Sequence, residues 1–195
     1  MGICSSDTVK GGKVLRDTVR IASQQEHQSF NSEIKEKEGK NQQFKISRME
    51  IILDSKYTHS NISRFFQPLN KCIISELTIE ADGCNFDDKS VVEMISCMNR
   101  VANLRYLSLS FRSKTKDAMQ GGKNVFYNTI TQEGATQLFN KIKESFKELT
   151  NLSIDLREQE PTSELGIQTK NPQAREEAVQ SFRAMFPSIR AELQI

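Results

Sequence analysis

Residues 103–111 read NLRYLSLSF and residues 149–156 read LTNLSIDL. In each, an apolar residue is followed by a second three positions later and a third two positions after that: Leu104, Leu107, Leu109 and Leu149, Leu152, Ile154. Polar residues separate the second from the third, which is the period of a strand with one buried face. The same triplet stands earlier as Ile46, Met49, Ile51 and as Ile74, Leu77, Ile79. The copies begin roughly 30 residues apart until the last interval lengthens, so a strand recurs with room for one helix between copies.

The intervals carry the helical period. In DDKSVVEMISCMNRV (87–101), Val91, Met94, Ile95 and Met98 share a face, and in TQEGATQLFNKIKESF (131–146) so do Ala135, Leu138, Phe139, Ile142 and Phe146. Ile62, Phe65, Phe66 and Leu69 repeat the pattern more weakly, interrupted by Pro68. A last unit places Ala174, Ala178, Phe182 and Met185 on a helix, and SIRAELQI (188–195) alternates Ile189, Ala191, Leu193 and Ile195 as a closing strand.

The turns between strand and helix carry a resemblance. Asn128-x-Ile130-x-x-x-Gly134-Ala135-x-x-Leu138 resembles the turn into the helix of ribonuclease-inhibitor-like leucine-rich repeats, and Cys84-x-Phe86-x-Asp88-x-Ser90-Val91-x-x-Met94 fits the same frame with substitutions. The resemblance spans about residues 45–195 and implies an α/β fold: a short solenoid with parallel strands on its concave side and helices on its convex side. It further implies that the Asn or Cys side chain bonds to exposed backbone where each strand turns, and that the residue at the glycine position lets the helix pack closely on its neighbour. The chain departs from the family in two ways. Its first repeat lacks the Asn turn, and insertions lie near 112–128 (RSKTKDAMQGGKNVFYN) and 158–172 (EQEPTSELGIQTKNP). Insertions into repeats become surface loops, and Arg112, Lys114, Lys116 and Lys123 make the first a possible contact loop for an acidic partner or lipid headgroups.

Residues 1–44 read differently. Met1, Gly2 and Ser6 in MGICSSD meet the pattern M-G-x-x-x-[ST], which resembles the signal for N-myristoylation at Gly2. Cys4 beside it resembles the palmitoylated cysteine in the dually acylated tails of Src-type kinases and G-protein α subunits. One myristoyl chain binds membranes only reversibly, so Cys4 would supply the second anchor. The resemblance implies a place on the cytosolic side of a membrane, whether the plasma membrane, a ciliary one or another. The stretch SQQEHQSFNSEIKEKEGKNQQ (23–43) has little apolar area, which predicts a flexible or partly helical arm and linker.

Composition narrows the function. Of the 195 residues 27% are charged, yet the net charge is only +2, and a nucleic-acid binder usually shows a strongly basic face. No apolar run is long enough to span a bilayer, and no secretory signal is present, so Cys4, Cys72, Cys84 and Cys97 are expected as free thiols. The two histidines stand beside no nucleophile or metal motif: His27 reads as a solvated tail residue, and His59 as a loop or helix-start residue. Gly121-Gly122-Lys123 lacks the spacing of a phosphate loop. Cys72, Cys84 and Cys97 fall on apolar or turn positions, as core thiols do. No catalytic residue, metal or cofactor is therefore expected.

On the concave face the alternation sets Glu50 and Ile52, Thr78 and Glu80, Ser108 and Ser110, and Ser153 and Asp155. These make a polar, slightly acidic surface suited to a basic segment of another protein. The expected role is a non-enzymatic adaptor. A structural subunit of a cytoskeletal or ciliary assembly is the alternative, and a regulator of a small GTPase a third reading that rests on fold analogy alone.

Overall fold

The computed structural model describes residues 8–10, 13–40, 43–53, 59–112, 114–117, 123–126, 128–157 and 172–195. Its strands are β1 (Thr8–Lys10), β2 (Lys13–Ile21), β3 (Gln43–Ile52), β4 (Cys72–Glu80), β5 (Tyr106–Ser110), β6 (Lys114–Asp117), β7 (Lys123–Phe126), β8 (Asn151–Asp155) and β9 (Arg190–Gln194). The helices are α1 (Gln24–Gly39), α2 (His59–Phe66), α3 (Asp88–Cys97), α4 (Gln132–Ser145) and α5 (Pro172–Met185), with a 3-10 turn at Gln67–Lys71. One sheet runs β1-β2-β3-β4-β5-β8-β9, and β2 through β9 within it are parallel. Neighbours in this sheet are also neighbours in chain order, apart from the separate antiparallel ribbon β6–β7 between β5 and α4.

The triplets are in register. Met49, Leu77, Leu107 and Leu152 are cross-strand partners, as are Ile51, Ile79, Leu109 and Ile154. All eight are buried, and a further row, Leu53, Ala81, Phe111, Leu156 and Ile195, buries the strand ends. Fully burying one such side chain stabilises by roughly 1.5–3 kcal/mol, so this apolar face, together with the helices over it, is the core. Packing along the helical layer is continuous: α2 lies on α3 and α3 on α4, and Phe139 meets Phe182 of α5 edge-on at 4.7 Å.

The sheet does not begin near residue 45. β2 pairs in parallel with β3, and α1 packs against both, so the stretch expected as an arm and linker is a full strand-helix unit, and the expected boundary falls inside β3. Val19 and Ile21 align with Met49 and Ile51. The first triplet place holds Arg16, which disguised the copy. Arg16 is buried, its guanidinium lying 5.3 Å from the centre of the Phe44 ring and paired with Glu33 of α1. Helix α1 buries only His27, Phe30 and Ile34, three residues on one face of an otherwise polar segment. Ser23 caps its start by accepting from the Glu26 amide.

At the strand-helix turns, side chains bond to the turning backbone. Asn128, fully buried, accepts from the Phe86 amide at 2.8 Å and donates to the carbonyls of Ala81 at 2.9 Å and Phe111 at 2.8 Å. It ties β4, the α3 turn and β5 into one knot. Cys84, in the equivalent place, donates to the Asp82 carbonyl at 3.7 Å. A Cβ on Gly134 would lie 1.9 Å from Asp88 Oδ1, so only glycine lets α4 start this close to α3. Asp88 in turn accepts from the Thr131 amide and hydroxyl, both at 2.7 Å. Asp87 and Thr131 cap α3 and α4.

Candidate functional site: the open face of the sheet

The helices cover one face of the sheet; the other presents the alternate strand residues, half-buried to exposed. Register sets them in rows. Arg20, Glu50, Thr78, Ser108, Ser153 and Glu192 form one, and Ile52, Glu80, Ser110, Asp155 and Gln194 the next. Every strand residue named from the sequence as protein-binding thus lies in two adjacent rows. A third row, Thr18, Arg48, Glu76, Tyr106, Asn151 and Arg190, was not anticipated. Its signal was available, because these residues precede the central member of each triplet. Tyr106 is the one exposed large hydrophobic side chain among the described residues, 36% accessible.

The face is less acidic than its strand sequences imply. Arg20 Nε bonds Glu50 at 3.0 Å, and Arg48 Nε bonds Glu76 at 2.8 Å. Each pair bridges neighbouring strands, and because both partners are exposed each is worth at most about 1 kcal/mol. Their main effect is to cancel charge. Asp155 is held by Arg157, through Nε at 3.0 Å and Nη2 at 2.7 Å, with Arg112 Nε at 3.7 Å. Among the described residues neither Glu80 nor Glu192 makes an ion pair, so the acidic character of the face rests on these two positions.

Arg112 is not free for a contact loop. Its backbone N–H, Nε and Nη2 bond the Asp82 carboxylate at 3.0, 3.1 and 2.9 Å, and the Ser110 hydroxyl adds a fourth bond at 2.6 Å. The Asp82 side chain is 2% exposed. A buried carboxylate needs such compensation, and losing the bonds from the Arg112 side chain would cost about 1.5–3 kcal/mol. Arg112 is therefore a structural residue at the sheet end. Lys114, Lys116 and Lys123 lie on the β6–β7 ribbon, where Lys116 is aligned with Asn124 and Asp117 with Lys123.

The lipidation residues Gly2 and Cys4, and nearly all of the second insertion, lie outside the described residues. His27 departs from expectation: it is buried, stacks on Phe65 with ring centres 3.6 Å apart, and its Nε2 lies 2.8 Å from Asn31 Nδ2. His59 is the first residue of α2. Burial pushes the Cys72 thiol up to about 12, which removes its nucleophilic form. Among the described residues no three of His, Cys, Asp and Glu gather as a metal would require, and no helix is long and apolar enough to cross a membrane.

Fold and face together define an α/β protein whose sheet is clothed on one side and bare on the other. No protein-family model matches the chain, and no curated protein matches it in sequence.

Proposed function

We propose that the chain is a non-enzymatic adaptor of the leucine-rich-repeat kind, held to the cytosolic face of a membrane by acylated Gly2 and Cys4, with its open sheet face recognising another protein. The observation that carries this reading is the open face itself: three aligned rows of mostly polar side chains on a parallel sheet, with one exposed aromatic, Tyr106. Tyrosine offers a large contact area at low entropic cost, and residues of this kind dominate binding energy where they are central. Glu80 supplies unpaired negative charge for a basic segment of the partner. In-register triplets and the Asn128 knot support the leucine-rich-repeat assignment.

The test is proximity labelling in cells with the intact protein, Gly2→Ala, and Glu80→Lys with Tyr106→Ala. Gly2→Ala is expected to move the protein to the soluble fraction and to lose membrane-dependent neighbours. The face variant is expected to stay at the membrane and lose its protein partner. If only Lys114→Glu with Lys116→Glu releases the partner, recognition belongs to the β6–β7 ribbon and the assignment to the sheet face is wrong.

A further inference from the structure

A cleft of about 700 Å³ lies on the opposite side of the molecule, between α1 and the stretch formed by α2 and its 3-10 turn. Its walls include His27, Asn31, Lys35, Arg64, Gln67 and Lys71, and no carboxylate stands among its lining residues. Elsewhere four arginines are each answered by an acid: Arg20 by Glu50, Arg48 by Glu76, Arg112 by Asp82 and Arg157 by Asp155. Lys71 is bonded to Glu38 at 2.5 Å. Arg64 and Lys35 make no ion pair among the described residues. Two uncompensated positive charges therefore converge on one concavity.

The neutral groups add direction. His27 is fixed in the wall by its stack on Phe65, and Asn31 sits one helical turn further on. Asn31 Nδ2 is occupied by His27 Nε2, while Asn31 Oδ1 is buried with no hydrogen-bond partner. Turning the amide over would satisfy the oxygen and strand the nitrogen instead. Either way the wall holds an amide with one polar atom left over, and such groups are costly unless something meets them.

We propose that this cleft binds a phosphate monoester, with Arg64 and Lys35 pairing with its oxygens and the Asn31 and Gln67 amides bonding to its polar surroundings. The charges match: a monoester carries close to two negative charges near neutral pH, against two unpaired cations. The arginine fork suits phosphate oxygens in a way a single carboxylate would not exploit. The site does not depend on the adaptor reading, since it lies on the helical side, away from the open sheet face. Its phosphate can come from a soluble metabolite or from a phosphoinositide headgroup at the membrane surface.

The experiment is a nuclear magnetic resonance titration of the isotope-labelled full chain with inorganic phosphate and with free inositol trisphosphate. Alongside it runs sedimentation with phosphatidylcholine vesicles containing either phosphatidylinositol bisphosphate or charge-matched phosphatidylserine. Free inositol trisphosphate is expected to shift the α1 and Arg64–Lys71 amides and the His27 ring. Arg64→Gln and Lys35→Gln should each weaken binding by about tenfold, the loss of one charge-assisted pair, while Lys143→Gln on α4 leaves it unchanged. Co-sedimentation with the phosphoinositide vesicles, but not with the phosphatidylserine ones, assigns the lipid source; binding of the free headgroup alone assigns a soluble one. The proposal is overturned if no probe shifts the cleft at millimolar concentration, or if Arg64→Gln and Lys35→Gln bind as tightly as the parent.

Discussion

His27 shows how one side chain changes meaning once its surroundings are known. Burial holds its pKa below the ordinary imidazole value, and the charge of Arg64 acts in the same direction. A histidine kept neutral in the folded state contributes stability that is present above its unfolded pKa, near 6.5, and is lost as the pH falls below that value. Urea midpoints should therefore drop between about pH 7 and pH 5.5, a window above that in which carboxylates titrate. His27→Gln should flatten that slope; an unchanged slope in the variant would remove His27 as its source. The cysteines test burial independently. With its thiol near 12, Cys72 is thiolate in only about one molecule in ten thousand at pH 8. Native alkylation should modify half-buried Cys97 well before Cys72 or Cys84, with mass spectrometry of digests giving the order.

For the elements, the informative contrast is between two helical glycines. Adding a methyl to Gly134 drives a carbon into Asp88, which is itself held by Thr131, so Gly134→Ala must part α4 from α3. The strain should destabilise by about 1–3 kcal/mol, more than the roughly 1 kcal/mol that alanine gains in helix propensity. At Gly39 nothing lies within 4 Å, and alanine there should stabilise by up to about 1 kcal/mol. Thermal melts of the two variants should move in opposite directions, and a fall for both would mean that Gly39 is constrained in a way its open surroundings do not explain. These elements were unequally legible in the sequence. Strands with three apolar triplet residues declared themselves, as did the Asn128 frame, because period and turn chemistry are local signals. β2 did not, since Arg16 occupies the place of an apolar residue and its partner Glu33 belongs to the following helix. The docking of α1, though not its helical tendency, was hidden, because three buried residues suffice to hold it. The charge balance of the open face was hidden for a related reason: Arg20 meets Glu50, and Arg48 meets Glu76, only once the register is set.

For the whole molecule, the first unit decides whether the fold has a proper end. Deleting residues 1–42 removes β2 and α1, uncovers β3 along its edge, and exposes the apolar surface that Phe30 and Ile34 bury. Such a chain should lose its cooperative melt in circular dichroism, whereas a chain beginning at Lys13, which gives up only β1, should keep it. A cooperative melt from the shorter chain would mean that β2 and α1 are dispensable after all. The order of the sheet carries one more consequence. Each strand of the main sheet bonds only to the strands before and after it in that sheet, so cohesion passes from unit to unit like load along a row of links. Under tension or dilute denaturant the terminal links open first, at modest cost, and the region around Asn128, which joins two central links, opens last. Damage at an end shortens the row. Damage at the Asn128 knot cuts it in two, so the loss of one fully buried amide there should cost the molecule more than damage at either end.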